Sequence, residues 1–162
     1  MSVNDAIAEL DARIDKTKVL LARIAREYDA FMRDDLPVLG QKNASAIVLS
    51  ELMVDYYTCL ETCFLRISQF LENHLSTDRW HADLLEKMTL RIEGVRDAVI
   101  CDATAADLQE LMKFRHFRRY YFEMEYDWDK LAFLQKVYGR VRASVPGELT
   151  TFQLFVRSLL EA

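Results

Sequence analysis

The stretch Ala44 to Leu75, ASAIVLSELMVDYYTCLETCFLRISQFLENHL, decides the fold. Leu49, Met53, Tyr56, Leu60, Cys63, Ile67 and Phe70 recur at strict four- and three-residue steps, the period of one helix face. Tyr57, Phe64 and Leu71 form a second stripe that widens the apolar surface. At 1.5 Å per residue the helix is about 45 Å long. A helix this long and apolar must be covered on more than one side. The preceding helix can cover one side, and part of the rest is available to another subunit.

Working outward, an amphipathic helix is expected from about Val3 to Met32. Ile7, Leu10, Ile14, Leu21, Ile24, Tyr28 and Phe31 lie on its apolar face, with Thr17 filling the gap. It should stop near Leu36, because Pro37 disfavours helix in the residue before it. After Leu75, residues 74–78 read as a polar break. A shorter helix from Arg79 to Leu90 follows, with Leu84, Leu85 and Met88 inward, and then a loop around Gly94. Thr104 and Asp107 look like a capping box for a helix reaching about Met124. Asp127 can cap another from Trp128 to about Ala143. Pro146 and Gly147 should end that one, before a last helix from Leu149 to Leu160.

The expected fold is therefore all-α, an antiparallel bundle of four to five main helices in one domain spanning 1–162. Only four glycines and two prolines punctuate the 162 residues, which suits long helices better than a sheet with many turns. The net charge of −5 disfavours a general nucleic-acid coat protein but permits a small positive site on an acidic body. No secretory signal and no membrane span are visible. The odd cysteine count fits a reducing cytoplasm, and no cofactor or metal is expected.

One stretch breaks the acidic pattern. Lys113, Arg115, Arg118 and Arg119 fall within seven residues, with His116 among them, and nine of the eighteen aromatics lie between Phe114 and Tyr138. On a helix Arg115, Arg118, Arg119 and Phe122 would share one face, with His116, Arg119, Tyr120 and Glu123 on the adjoining one. Arginine can clamp a phosphate and histidine can move a proton near neutral pH, so a phosphodiester site is one reading. The other is a solvated face neutralised by Glu110, Glu123 and Glu125. The dense aromatics can stack bases, but at helical spacing they are more often core or dimer contact. Cys59 and Cys63 lie one turn apart on apolar stripes and read as buried small residues. A zinc site would need more ligands, and His74 is too far along to join them. Trp80-His81 at a helix start reads as packing or a cap.

Tyr56-Tyr-Thr-Cys-Leu-Glu61, Trp80-His-Ala-Asp-Leu-Leu-Glu-Lys-Met88, Gly94-Val-Arg96, Phe114-Arg-His-Phe117 and Glu125-Tyr-Asp-Trp128 together resemble the HepT-like branch of the HEPN superfamily. The resemblance implies an all-α bundle that dimerises, a metal-independent ribonuclease and a small nucleotidyltransferase antitoxin as partner. The family motif is Arg, any four residues, His, any residue, Tyr, with two copies meeting across the dimer. Here Arg115 matches the Arg, Tyr120 stands at the His position and Phe122 at the Tyr position. Tyr120 cannot act as a base near neutral pH without a large pKa shift. Phe122 lacks the hydroxyl that such an antitoxin modifies with AMP. The resemblance thus implies a toxin-side protein with weakened or lost ribonuclease chemistry. The alternative is a non-catalytic dimer binding RNA, a nucleotide or an acidic protein segment. In any surviving cleavage Arg115 would neutralise the scissile phosphate. Lys113, Arg118 and Arg119 would hold the backbone, and His116 would carry the proton.

Overall fold

The computed structural model describes residues 2–71 and 79–160. Helix α1 (Val3–Ala30) opens on a capping box: Ser2 Oγ accepts from the Asp5 amide at 3.1 Å, and the Asp5 carboxylate accepts from the Ser2 amide at 2.9 Å. A π-helical turn (Phe31–Asp35) and the short α2 (Leu36–Leu39) continue the same rod. The rod therefore does not stop before Pro37 as expected. The wide turn falls where the proline ring would otherwise meet the Arg33 carbonyl, and it lets the helix pass. The stop comes at Gly40, whose φ of 71° lies in the left-handed region that suits glycine. Helix α3 (Asn43–Leu71) follows after a short turn, with buried Ser45 donating its hydroxyl to the Gly40 carbonyl at 2.7 Å. The expected break at 74–78 and the end of α3 at Leu75 lie outside the described residues.

Helix α4 (Trp80–Thr89) buries Leu84, Leu85 and Met88 as its spacing predicts. A loop folds back on it, with the Val99 and Ile100 amides donating to the Met88 carbonyl. Helix α5 (Asp102–Arg119) starts earlier than the Thr104 cap predicts. Cys101 is the N-cap, Thr104 is a buried residue of the first turn, and Asp107 is instead paired with Arg140 at 2.7 Å. The helix also ends five residues sooner than expected. Tyr120 leaves helical geometry, Met124 adopts a positive φ of 60°, and the Tyr121 hydroxyl is tied to the Glu125 backbone. Phe122 and Glu123 consequently share no helix face with Arg115 or His116.

Helix α6 (Trp128–Ser158) begins where Asp127 caps it, its carboxylate accepting from the Asp129 and Lys130 amides. It does not divide at Pro146-Gly147. Both residues are exposed between buried Val145 and Leu149, so the proline forfeits one solvent-side hydrogen bond while the buried face runs on unbroken.

The helices pack antiparallel. Asp29 pairs with Arg142 and Asp11 with Arg157 along α1 and α6, while Asp107 with Arg140 and Phe117 with Lys130 mark α5 against α6. One apolar core runs from Ile7 to Val156 and takes in the predicted stripe of α3 from Leu49 to Ile67. Phe70 and Leu71 are half-buried at its edge. Contacts to α1, α4, α5 and α6 meet both stripes of α3 within the chain, so α3 itself does not call for a second subunit.

Candidate functional site

The site lies where α3, α4 and α5 meet, and a buried carboxylate holds it together. Glu61 follows Tyr57 by one turn, on the face that otherwise carries Phe64, so it points into the interhelical space and is only 6 % exposed. A buried ion needs partners, and it has one from each helix. Within α3 the Tyr57 hydroxyl donates at 2.8 Å. From α5 the Arg115 guanidinium donates to both oxygens at 2.9 and 3.1 Å, a bidentate pair. From α4 His81 Nδ1 lies 2.7 Å from Oε2. Burial pushes the Glu61 carboxyl up, but the hydrogen bonds from Arg115, Tyr57 and His81 outweigh it and hold the group below its ordinary value. Burial in turn pushes the Tyr57 phenol well up, so it stays a donor.

An ionised carboxylate has no proton to give, so His81 Nδ1 must carry the one in their 2.7 Å contact. Arg115 also lies 3.2 Å from Nδ1, with both donors aimed at the same oxygen. With Nδ1 donating, the neutral form of the imidazole would carry its lone pair on Nε2. The Trp80 ring lies against the imidazole, with centroids 3.6 Å apart and planes tilted by 32°.

Beside this hub opens a cavity of about 840 Å³. Helix α5 supplies one wall through Gln109, Met112, Lys113, His116 and Arg119, which share a face at three- and four-residue steps. The start of α4 supplies Arg79, Trp80 and His81, and Thr58 of α3 closes the floor beside Arg115. The lining joins cations, two imidazoles and an indole. It can neutralise phosphate, stack a base and exchange protons.

The structure thus brings four of the expected site residues, Lys113, Arg115, His116 and Arg119, to one cavity. It separates two others. Arg118 turns toward Glu51 of α3 and pairs with it, and Tyr120, 61 % exposed at the helix end, does not line the cavity but sets its ring edge-on to His116 at 5.2 Å and beneath the Arg119 guanidinium at 5.9 Å. The expected neutralising set is corrected as well. Glu110 does pair with Lys113 at 3.1 Å, but Arg115 and Arg118 are matched by Glu61 and Glu51 rather than by Glu123 and Glu125. Sequence reasoning missed Glu61 as the hub and set His81 aside as packing. A carboxylate in the register of an apolar stripe, between Tyr57 and Phe64, was the available signal.

Cys63 is buried and Cys59 half-buried, and burial pushes both thiols up, Cys63 to about 11. Both are therefore protonated and poor metal ligands near neutral pH. Among the described residues no group of three or more His, Cys, Asp or Glu is placed to hold a metal ion.

The profile of the family described as HepT-like protein matches residues 48–156, about two thirds of the chain and all of the site. The chain belongs to the HepT-like family. No curated protein and no solved structure matches it. Within this HepT-like domain, Arg115 lies in the cavity. Tyr120 and Phe122 lie exposed on the irregular segment after α5.

Proposed function

We propose that this HepT-like chain is the toxin-side partner of a nucleotidyltransferase antitoxin, that it works as a cytoplasmic homodimer, and that its α3–α4–α5 cavity binds single-stranded RNA. The observation that carries the RNA reading is the lining itself, with Arg79, Lys113, Arg119 and His116 gathered around Trp80 on an otherwise acidic protein. Cations that track phosphates beside a stacking ring are what single strands require. Chemistry at the family motif positions is lost, because Tyr120 supplies no base near neutral pH and Phe122 no hydroxyl. Exposed Phe117, Tyr120, Phe122 and Met124 cluster in sequence at the end of α5 and offer apolar surface for the second copy or the antitoxin. No described helix is long and apolar enough to cross a membrane.

Fluorescence anisotropy with a labelled single-stranded RNA, without metal, tests the RNA reading. The double variant K113A/R119A should bind at least tenfold more weakly. Its log–log salt slope should fall by roughly 1.4, about 0.7 for each phosphate that is no longer neutralised. Unchanged binding would remove RNA from the cavity. Co-expression with a nucleotidyltransferase encoded beside this chain should give a complex on size exclusion. Mass spectrometry after ATP addition should show no AMP on residues 120–126. Two independently eluting chains would end the antitoxin assignment.

A further inference from the structure

Exposed apolar side chains gather at one end of the bundle. Four helix termini meet there, held by Arg118 with Glu51, Lys130 over Phe117 and Gln135 with Met32. The end of α2 brings Val38, 83 % exposed, and Leu39. The start of α3 brings Ile47 and Val48, and the segment after α5 brings Phe122, 81 % exposed, and Met124. That segment is held in a fixed shape. The Tyr121 hydroxyl donates to the Glu125 carbonyl and accepts from its amide, while its ring stacks on Phe117 and meets Tyr126 edge-on. Met124 takes a φ of 60°, a conformation that a residue with a side chain adopts only under strain. The strain and the staple together present Phe122 and Met124 to solvent rather than to the core. A surface shaped in advance loses less entropy when it binds.

The rim of this end is acidic. Asp35 precedes α2, Glu123 and Glu125 lie on the outward segment, and Asp129 lies in the first turn of α6. None of the four forms an ion pair with a described residue. Nearby Arg33 and Arg118 are matched to Asp34 and Glu51, which leaves Lys42 and Lys130 to oppose the four. An apolar centre inside a charged rim is the anatomy of a binding surface, and the sign of the rim says what it fits. A second copy meeting this end about a two-fold axis would bring the same carboxylates face to face, at a cost in like-charge repulsion. RNA and anionic lipid would be repelled in the same way.

We propose that this end of the bundle docks a different protein, through an amphipathic helix whose apolar face is flanked by lysines and arginines. Phe122 gives that helix a rigid ring to pack on, and the unbranched Met124 adapts to its shape. The homodimer then forms through another face. The cavity shares none of these residues, so the inference stands apart from the RNA reading.

The test uses the full chain and two fluorescein-labelled helical peptides with the same leucine face, one flanked by lysines and the other by glutamates. By anisotropy the Leu/Lys peptide should bind about tenfold more tightly than the Leu/Glu peptide, or better. V38S/F122S/M124S, altered only at exposed positions, should lose about tenfold in affinity for the Leu/Lys peptide with an unchanged melting temperature. E123K/E125K should invert the preference between the peptides. L154S, at an exposed leucine toward the other end of α6, should bind as wild type does. Equal affinity for the two peptides, or a triple variant that binds like wild type, overturns the proposal. So does a dimer by light scattering that the triple variant loses, which would give this end to the second copy. RNA affinity should be the same in the triple variant and wild type. Failure of wild type to bind RNA would remove the RNA reading and leave the peptide result to stand on its own.

Discussion

Two polar seams between the described helices contrast: the one along α1 and α6 is a fastening, and the one among α3, α4 and α5 borders a cavity. Along α1 and α6, buried Gln153 donates its amide to Asp11 and Asp15 at 3.0 and 2.9 Å and accepts from Lys18, while Arg157 and Arg142 are matched to Asp11 and Asp29. Each of these groups is answered by a neighbour across the seam. Between α3, α4 and α5 the same kinds of residue meet, and Glu61, Glu51 and Glu110 answer Arg115, Arg118 and Lys113. Here the paired His81 and Lys113 also line a cavity, together with His116 and Arg119. Polar atoms between helices make a fastening when they satisfy one another and a site when some are turned toward open volume. Charge density alone does not separate the two cases.

The comparison breaks first at Glu61. E61A should cost roughly 3 kcal/mol in urea denaturation, the low end for orphaning a buried charge, since Arg115 keeps part of its guanidinium in water. A cost below about 1 kcal/mol would show that the hub is a surface pair. In the closed seam, Gln153→Ala removes a buried amide, but Asp11 keeps Arg157 and Asp15 keeps Lys18, so the change should cost about 1 kcal/mol while leaving RNA affinity unchanged. Weaker RNA binding in that variant would mean the two seams are coupled.

Acid should sharpen the contrast. The Glu61 carboxyl is held below its ordinary value of 4.5 in the folded state, so the unfolded state binds its proton more readily. Its contribution is fully present above pH 4.5 and is lost as pH falls through the folded-state value. Wild type should therefore destabilise below about pH 4.5 more steeply than E61Q, as read from melting temperatures at pH 3 and pH 7. Equal slopes would assign the acid sensitivity to the other seam, where Asp29 and Asp15 are also lowered, chiefly by hydrogen bonds from Arg142 and Gln153 respectively. The smallest effect belongs to Lys113, whose removal should cost RNA binding a few-fold and reduce the salt slope by roughly 0.7.

The bundle was legible because its buried stripes are long. From Ile7 to Phe31 and from Leu49 to Ile67 the three-four spacing repeats with Thr17 as its polar member, and the apolar positions form the core apart from half-buried Ile24. The helix ends were less legible, since Pro37 and Pro146 act locally while packing acts over whole faces. A π turn accommodates the first proline, and the solvent side absorbs the second. The basic cluster was visible because it contrasts with an acidic chain. Its partners were not, because Glu61, His81 and Arg115 stand 20 and 34 residues apart and meet only when three helices close.

Distances along the chain also bear on the order of assembly. Glu61 meets His81 across 20 residues and Arg115 across 54, whereas Gln153 must reach back 142 to Asp11. Closing a loop costs about 0.6 kcal/mol more for each doubling of its length. The cavity can therefore form in a nucleus before α1 and α6 join. In φ-value terms, substitutions around Glu61 should slow folding, while those at Gln153 should mainly speed unfolding.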